Sequence, residues 1–72
     1  MFYYNKLTKT LTIQPEFNKL LLNLPNDVEI IIFKEYSKFN QNVDILPQNL
    51  IHLTFGRNFN QNVDKLPPNL TH

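Results

Sequence analysis

In the stretch LIHLTF (50–55), Leu53 and Phe55 alternate with His52 and Thr54, which sends the two sets of side chains to opposite faces of an extended backbone. A period of two in apolar residues of this kind predicts a short, half-buried strand. The same pattern occurs upstream. NDVEIIIF (26–33) aligns with QNLIHLTF (48–55), pairing Val28 with Leu50, Ile31 with Leu53 and Phe33 with Phe55. LTI (11–13) falls on the same columns, so Leu11 joins Ile31 and Leu53, and Ile13 joins Phe33 and Phe55.

Between the strand segments a second pattern recurs. FNKLLLNLP (17–25), FNQNVDILP (39–47) and FNQNVDKLP (59–67) share Phe-Asn at the start, an aliphatic residue at Leu21, Val43 and Val63, and Leu-Pro at the end. Phe17, Phe39 and Phe59 are read as inward residues stacked over one another. In LPQNL (46–50), proline fixes φ where a first helical residue needs no N–H, so a single 3₁₀ turn is expected. One coil is therefore strand, polar turn and 3₁₀ turn. Burying a Leu or Phe contributes about 1.5–3 kcal/mol, and a coil this thin covers its apolar residues only when neighbours stack on it. Stacking pairs the strands in parallel, about 4.8 Å apart.

The spacing is 22 residues from Phe17 to Phe39 and 20 from Phe39 to Phe59. KEYSK (34–38) replaces GRN (56–58) and carries the excess, which belongs in a loop. The divisions are an N-terminal cap over residues 1–16, with FYY and LTKTLTI able to form a hairpin, and repeats at 17–38, 39–58 and an incomplete 59–72. The chain stops at NLTH where the preceding copy runs on as NLIHLTF. A continuing array is expected there, or edge-to-edge self-association or a larger assembly formed through the C-terminal coil.

Leu50, Leu53, Phe55 and Asn58 spell L-x-x-L-x-F-x-x-N, which is similar to the leucine-rich repeat signature. Together with F-N-Q-N-V and L-P-x-N-L, the chain resembles the FNIP repeat family, a leucine-rich-repeat relative. The match is clearest at 39–70, weaker at 17–38 and faint at 7–16. The resemblance implies a mainly β chain with short 3₁₀ turns, folded as a right-handed, leucine-rich-repeat-like solenoid of parallel strands in about three and a half coils. It also implies a non-enzymatic scaffold for protein–protein interaction. Such repeats occur mainly in social amoebae and in large DNA viruses of amoebae, often behind an F-box. Two alternative roles follow: the substrate-recognition part of an F-box ubiquitin-ligase adaptor, with the F-box outside these residues, and a structural component of a large viral assembly.

Composition narrows the chemistry. At 72 residues the chain is one small unit, of a size that buries only about 60% of its unfolded surface. No cysteine is present, which removes disulfides and thiolate chemistry and suits an intracellular setting, host cytoplasm or virion if the source is viral. Seven basic and six acidic residues are scattered singly, a poor footprint for nucleic acid. The longest apolar run, Ile30 to Phe33, is far short of a membrane span, and no signal peptide is visible. With Gly56 as the one glycine there is no phosphate-cradling loop; asparagine, which tolerates left-handed backbone, takes over many turns.

Candidate sites are structural or surface features. Asn18, Asn40 and Asn60 share a column after the inward Phe, where an interior amide would bond backbone of its own and adjacent coils, and Asn58 is a further candidate. The outward strand residues, Thr10, Ile30, His52 and His72 in one column and Thr12, Ile32 and Thr54 in the next, form the candidate partner-contact face. Ile30 and Ile32 make it sticky unless a tail or the YYNK segment covers them. His52 and His72 are too few to hold a metal, and Asp44 and Asp64 read as exposed turn carboxylates. Ser37 stands without a matching His. No catalytic residue, cofactor or metal is expected, and the partner is a protein rather than nucleic acid or membrane.

Overall fold

Each apolar-alternating segment is a strand, and the strands lie side by side. The computed structural model describes residues 2–44, 46–61, 63, 66–68 and 70. Strands β1 (Phe2–Asn5), β2 (Thr10–Ile13), β3 (Ile30–Phe33) and β4 (His52–Thr54) form one open sheet in the order β1-β2-β3-β4. No helix occurs among the described residues.

Parallel pairing, expected of the stacked coils, holds for β2, β3 and β4, and the sheet as a whole is mixed. Thr10, Ile30 and His52 pair in one row, Leu11, Ile31 and Leu53 in the next, and Thr12, Ile32 and Thr54 in the third. β1 runs antiparallel to β2, with Phe2 opposite Ile13 and Asn5 opposite Thr10. The reason is connection length. Residues 6–9 suffice for a hairpin, whereas parallel neighbours need a crossover of about a dozen residues or more. The hairpin turn is held by Asn5, whose Oδ1 accepts from Leu7 N–H at 2.9 Å and Thr8 N–H at 3.3 Å, and it ends with Lys9 in left-handed backbone at φ 57°. The Lys9 carbonyl then accepts from Glu29 and Ile30 N–H, at 3.0 and 3.1 Å. One rung on, the Glu29 carbonyl accepts from Ile51 and His52 N–H, at 2.8 and 3.1 Å.

Inward residues of the sheet pack against the crossover segments. Leu11, Ile13, Ile31 and Phe33 from the strands meet Leu21, Val28, Phe39, Val43, Leu46 and Leu50 in one buried cluster. The phenylalanines form two stacked columns. Phe17, Phe39 and Phe59 follow one another at centroid distances of 6.2 and 6.0 Å with planes 7° and 1° apart. Phe33 and Phe55 lie 5.7 Å apart, and the columns touch at Phe33–Phe39, 4.4 Å, and Phe55–Phe59, 3.7 Å. The middle ring, Phe39, is buried, while Phe17 and Phe59 are half-buried at either end. Val63, expected inward like Val43, is 45% exposed against 2%, because no described residue stacks over the third rung.

Each Leu-Pro segment makes one turn, closed by a single bond from the third residue on: Val28 N–H to Pro25 O at 3.5 Å, Leu50 to Pro47 at 3.2 Å and Leu70 to Pro67 at 3.3 Å. The expected 3₁₀ geometry goes no further among the described residues. The chain enters β3 at Ile30 and β4 at His52, two residues later, leaving no room for a second bond.

The two extra residues of the second rung have a defined place. A turn follows each strand, with Phe17 N–H bonded to Gln14 O at 3.1 Å and Phe59 to Gly56 at 3.3 Å. At the equivalent point Ser37, not a phenylalanine, closes the turn onto Lys34 O at 3.0 Å. Ser37 and Lys38 are therefore the excess, placed between the turn and Phe39. Ser37 is buried, and its Oγ accepts from Phe39 N–H at 3.1 Å. Gly56 lies against this loop: a Cβ there would stand 2.5 Å from the Lys34 carbonyl oxygen and 2.9 Å from Ser37 Cβ. Its φ is not positive, so glycine is required by close approach alone.

Candidate functional site

The outward side of the sheet is the surface that the strand pairing assembles. Because β2, β3 and β4 are in register, Thr10, Ile30 and His52 form one row across the strands and Thr12, Ile32 and Thr54 another. Directly opposed residues share a face, so β1 extends both rows: Asn5 stands opposite Thr10 and Tyr3 opposite Thr12. The contact rows are thus Asn5–Thr10–Ile30–His52 and Tyr3–Thr12–Ile32–Thr54.

Exposure differs along them. Tyr3, Ile32 and Thr54 are exposed, while Thr10, Thr12, Ile30 and His52 are half-buried. The YYNK segment does not fold over the isoleucines; it lies beside β2 within the sheet. His72 and Asp64 lie outside the described residues. Tyr3 was not among the sequence candidates, although the alternation in FYYN carries the signal, because the hairpin register had to be known before its face could be assigned.

The inward row Tyr4–Leu11–Ile31–Leu53 ends in a polar contact. The Tyr4 hydroxyl donates to Asp27 Oδ1 at 2.7 Å, tying β1 to the turn before β3. Partial burial, then the hydrogen bond and the nearby carboxylate charge, push the Tyr4 hydroxyl up to about 12. The bond from Tyr4 in turn holds the Asp27 carboxyl below its usual range. Beside it Lys9 Nζ and Glu29 Oε2 approach to 3.6 Å in an exposed pair, worth about 0–1 kcal/mol.

The asparagine column works between rungs. Asn18 Oδ1 accepts from Asn40 N–H at 2.9 Å and from Gln41 Nε2 at 3.0 Å, and the Asn18 carbonyl accepts from the same Nε2 at 3.3 Å. Asn40 repeats this for the third rung, with Asn60 N–H at 2.8 Å and Gln61 Nε2 at 3.0 Å to Oδ1 and 3.2 Å to the carbonyl. Expected in the interior, Asn18 and Asn60 are on the surface and Asn40 is half-buried: the column runs along the rim, where its oxygen faces the next rung's backbone. Asn58 Nδ2 donates to Ser37 O at 3.0 Å. Asp44 is exposed, and its N–H bonds to Asn42 Oδ1 at 2.8 Å.

These paired rungs, each Phe-Asn over Phe-Asn and each Leu-Pro turn over the last, are the geometry of a sequence repeat, and residues 39–72 match the model of the FNIP repeat family. This part of the chain is FNIP repeat. Comparison with curated proteins and with solved structures finds no match. Within the matched residues Phe39, Asn40, Val43, Leu46, Pro47 and Leu50 are the stacked ring, the rim acceptor, the apolar filling and the turn, while the outward His52 and Thr54 lie in the same stretch. Among the described residues no group of three or more His, Cys, Asp or Glu could hold a metal ion, and no helix is long and apolar enough to cross a membrane.

Proposed function

We propose that the chain is a repeat scaffold, a right-handed leucine-rich-repeat-like solenoid of about three and a half coils that binds another protein through its outward strand face and performs no chemistry of its own. Residues 1–16 cap the first coil, and the coils run 17–38, 39–58 and 59–72. An intracellular setting suits a small domain without disulfides.

One observation carries this reading: the in-register rows Asn5–Thr10–Ile30–His52 and Tyr3–Thr12–Ile32–Thr54. Side chains that the core does not need are brought into one continuous surface, and Tyr3 and Ile32, an aromatic and an aliphatic residue, are exposed in the same row. Exposed aromatic and aliphatic residues on a rigid sheet are the usual anchors of protein contact.

Selection of displayed peptides on the folded chain tests the face. Binders are expected to lose at least about ten-fold in affinity, about 1.4 kcal/mol, on the Ile32→Lys, Thr54→Lys variant and to be indifferent to Lys34→Ala. Binders that ignore the strand variant would overturn the reading. The coil architecture has its own test. Inserting a further copy of residues 39–58 after Ser37–Lys38 should raise the unfolding midpoint and lengthen the particle by about 4.8 Å; a copy that adds no stability would count against stacking.

A further inference from the structure

In the second and third rungs a strand ring packs against a column ring, with centroids 4.4 Å apart for Phe33 and Phe39 and 3.7 Å apart for Phe55 and Phe59. Ahead of the first rung only the strand half of such a pair is present. Phe2 of β1 stands opposite Ile13, and directly opposed residues share a face, so its ring points to the core side of the sheet. It is nevertheless 41% exposed. β1 adds a strand to the sheet without a crossover behind it, and among the described residues no ring stacks on the outer face of Phe17.

The polar groups repeat this pattern. Asn40 and Asn60 each give their N–H to the asparagine oxygen of the rung before, and Gln41 and Gln61 give Nε2 to the same oxygen. Asn18 N–H, at the same place on the first rung, meets no acceptor among the described residues. Where the later rungs have glutamine, the first has Lys19. Glu16, Phe17, Asn18 and Lys19 line a hollow of about 310 Å³, at the low end of the range for specific clefts.

The contact made twice within the chain says what fits here. A ring parallel to Phe17 would continue the column, as Phe39 and Phe59 do at spacings of 6.2 and 6.0 Å, and the residue after that ring would bring an oxygen to Asn18 N–H. Charge then chooses between asparagine and aspartate. Lys19 is exposed, with no ion pair among the described residues, and a charge-assisted hydrogen bond is about twice as strong as a neutral one. On the other side of Phe17 in the chain, Glu16 is exposed and likewise unpaired among the described residues, which favours a cation before the ring.

We propose that this end of the stack binds an extended segment of a partner protein that reads basic residue, aromatic residue, aspartate. Its ring packs against Phe2 and Phe17, and its carboxylate accepts from Asn18 N–H and Lys19. The site is built from the first crossover and β1 rather than from the outward strand rows, and it stands or falls independently of them.

Residues 37–43 supply the probe, because the chain already stacks Phe39 on Phe17: the peptide Ser-Lys-Phe-Asp-Gln-Asn-Val is that segment with Asn40→Asp. Titrated into the full isotope-labelled chain, it is expected to shift the amide signals of Asn18 and Lys19 saturably. The same peptide with Phe39→Ala should bind at least about ten-fold more weakly, and the unsubstituted peptide at least about three-fold more weakly. In the chain, Lys19→Gln places there the residue with which the second rung already folds, and should abolish the preference for aspartate while leaving binding in place. Phe2→Ala should weaken both peptides. No saturable shift at Asn18 up to millimolar peptide overturns the proposal, as does binding that ignores the loss of the ring. Equal affinity of the wild-type chain for the unsubstituted peptide overturns it too, and would give the place to a further rung of the repeat, as from a second copy.

Discussion

The side-chain oxygen of Asn18 accepts the backbone N–H of Asn40, 22 residues further along, at 2.9 Å. Asn40 does the same for Asn60 at 2.8 Å, and each oxygen also takes the following glutamine's Nε2. A rim asparagine therefore serves its neighbour as an acceptor, satisfying an N–H that no strand reaches.

That role separates two substitutions. Asn40→Ala removes the acceptor for the exposed Asn60 N–H and Gln61 Nε2, and should cost about 0.5–1.5 kcal/mol. Asn40→Asp keeps an oxygen in place and should retain most of that stability near neutral pH. Urea unfolding of the two variants checks it, and equal losses would mean that the amide nitrogen matters instead.

Phe39 lies between Phe17 and Phe59 in one column and touches Phe33 in the other. Phe39→Ala opens a cavity at the junction of all three rungs and is expected to cost about 3–5 kcal/mol, enough to unfold a chain of this size. Phe17→Ala, at a half-buried end of the column, should cost less. Chemical denaturation followed by circular dichroism measures both.

Gly56 gives a prediction whose sign depends on packing. With φ in the ordinary range, Gly56→Ala would by backbone entropy alone stabilise by about 0.4–1 kcal/mol. The Cβ would instead stand 2.5 Å from the Lys34 carbonyl oxygen, a backbone atom that no rotamer change can move. A net destabilisation of about 1–3 kcal/mol is expected, read as a lower thermal midpoint.

The Tyr4–Asp27 bond makes stability pH-dependent at both ends. Asp27 is held below its ordinary value of 3.8, so the unfolded chain binds its proton more readily. The contribution is fully present above that value and is lost as pH falls through the folded value. Tyr4 is raised from 10.0 to about 12, so its contribution is present below pH 10 and is lost as pH rises toward 12. Tyr4→Phe should flatten both limbs of a plot of unfolding midpoint against pH. A variant whose plot keeps the wild-type shape would assign those limbs to other groups.

How far the chain could be read in advance differs by feature. The columns Leu11–Ile31–Leu53 and Phe17–Phe39–Phe59 follow from spacing, because a repeat with a constant interval from Phe-Asn to Leu-Pro has one register that stacks every ring. The outward rows follow from the same register, since side chains alternate along a strand. Tyr3 was harder to place, because FYYN has no copy elsewhere to align with and its face depends on the hairpin register. Asn18 and Asn60 were expected inside, whereas their oxygens work at the rim; composition alone does not distinguish an interior amide from a rim acceptor.

The sequence by itself determined the repeat, its 22- and 20-residue spacing and which residues share a column, because periodicity is a property of order along the chain. The tertiary structure alone decided where the excess residues go, why Gly56 must lack a side chain, that Tyr4 meets Asp27, and that Leu22 borders a groove. Those facts concern atoms from different rungs approaching within a few ångströms, and only stacking the rungs brings them together.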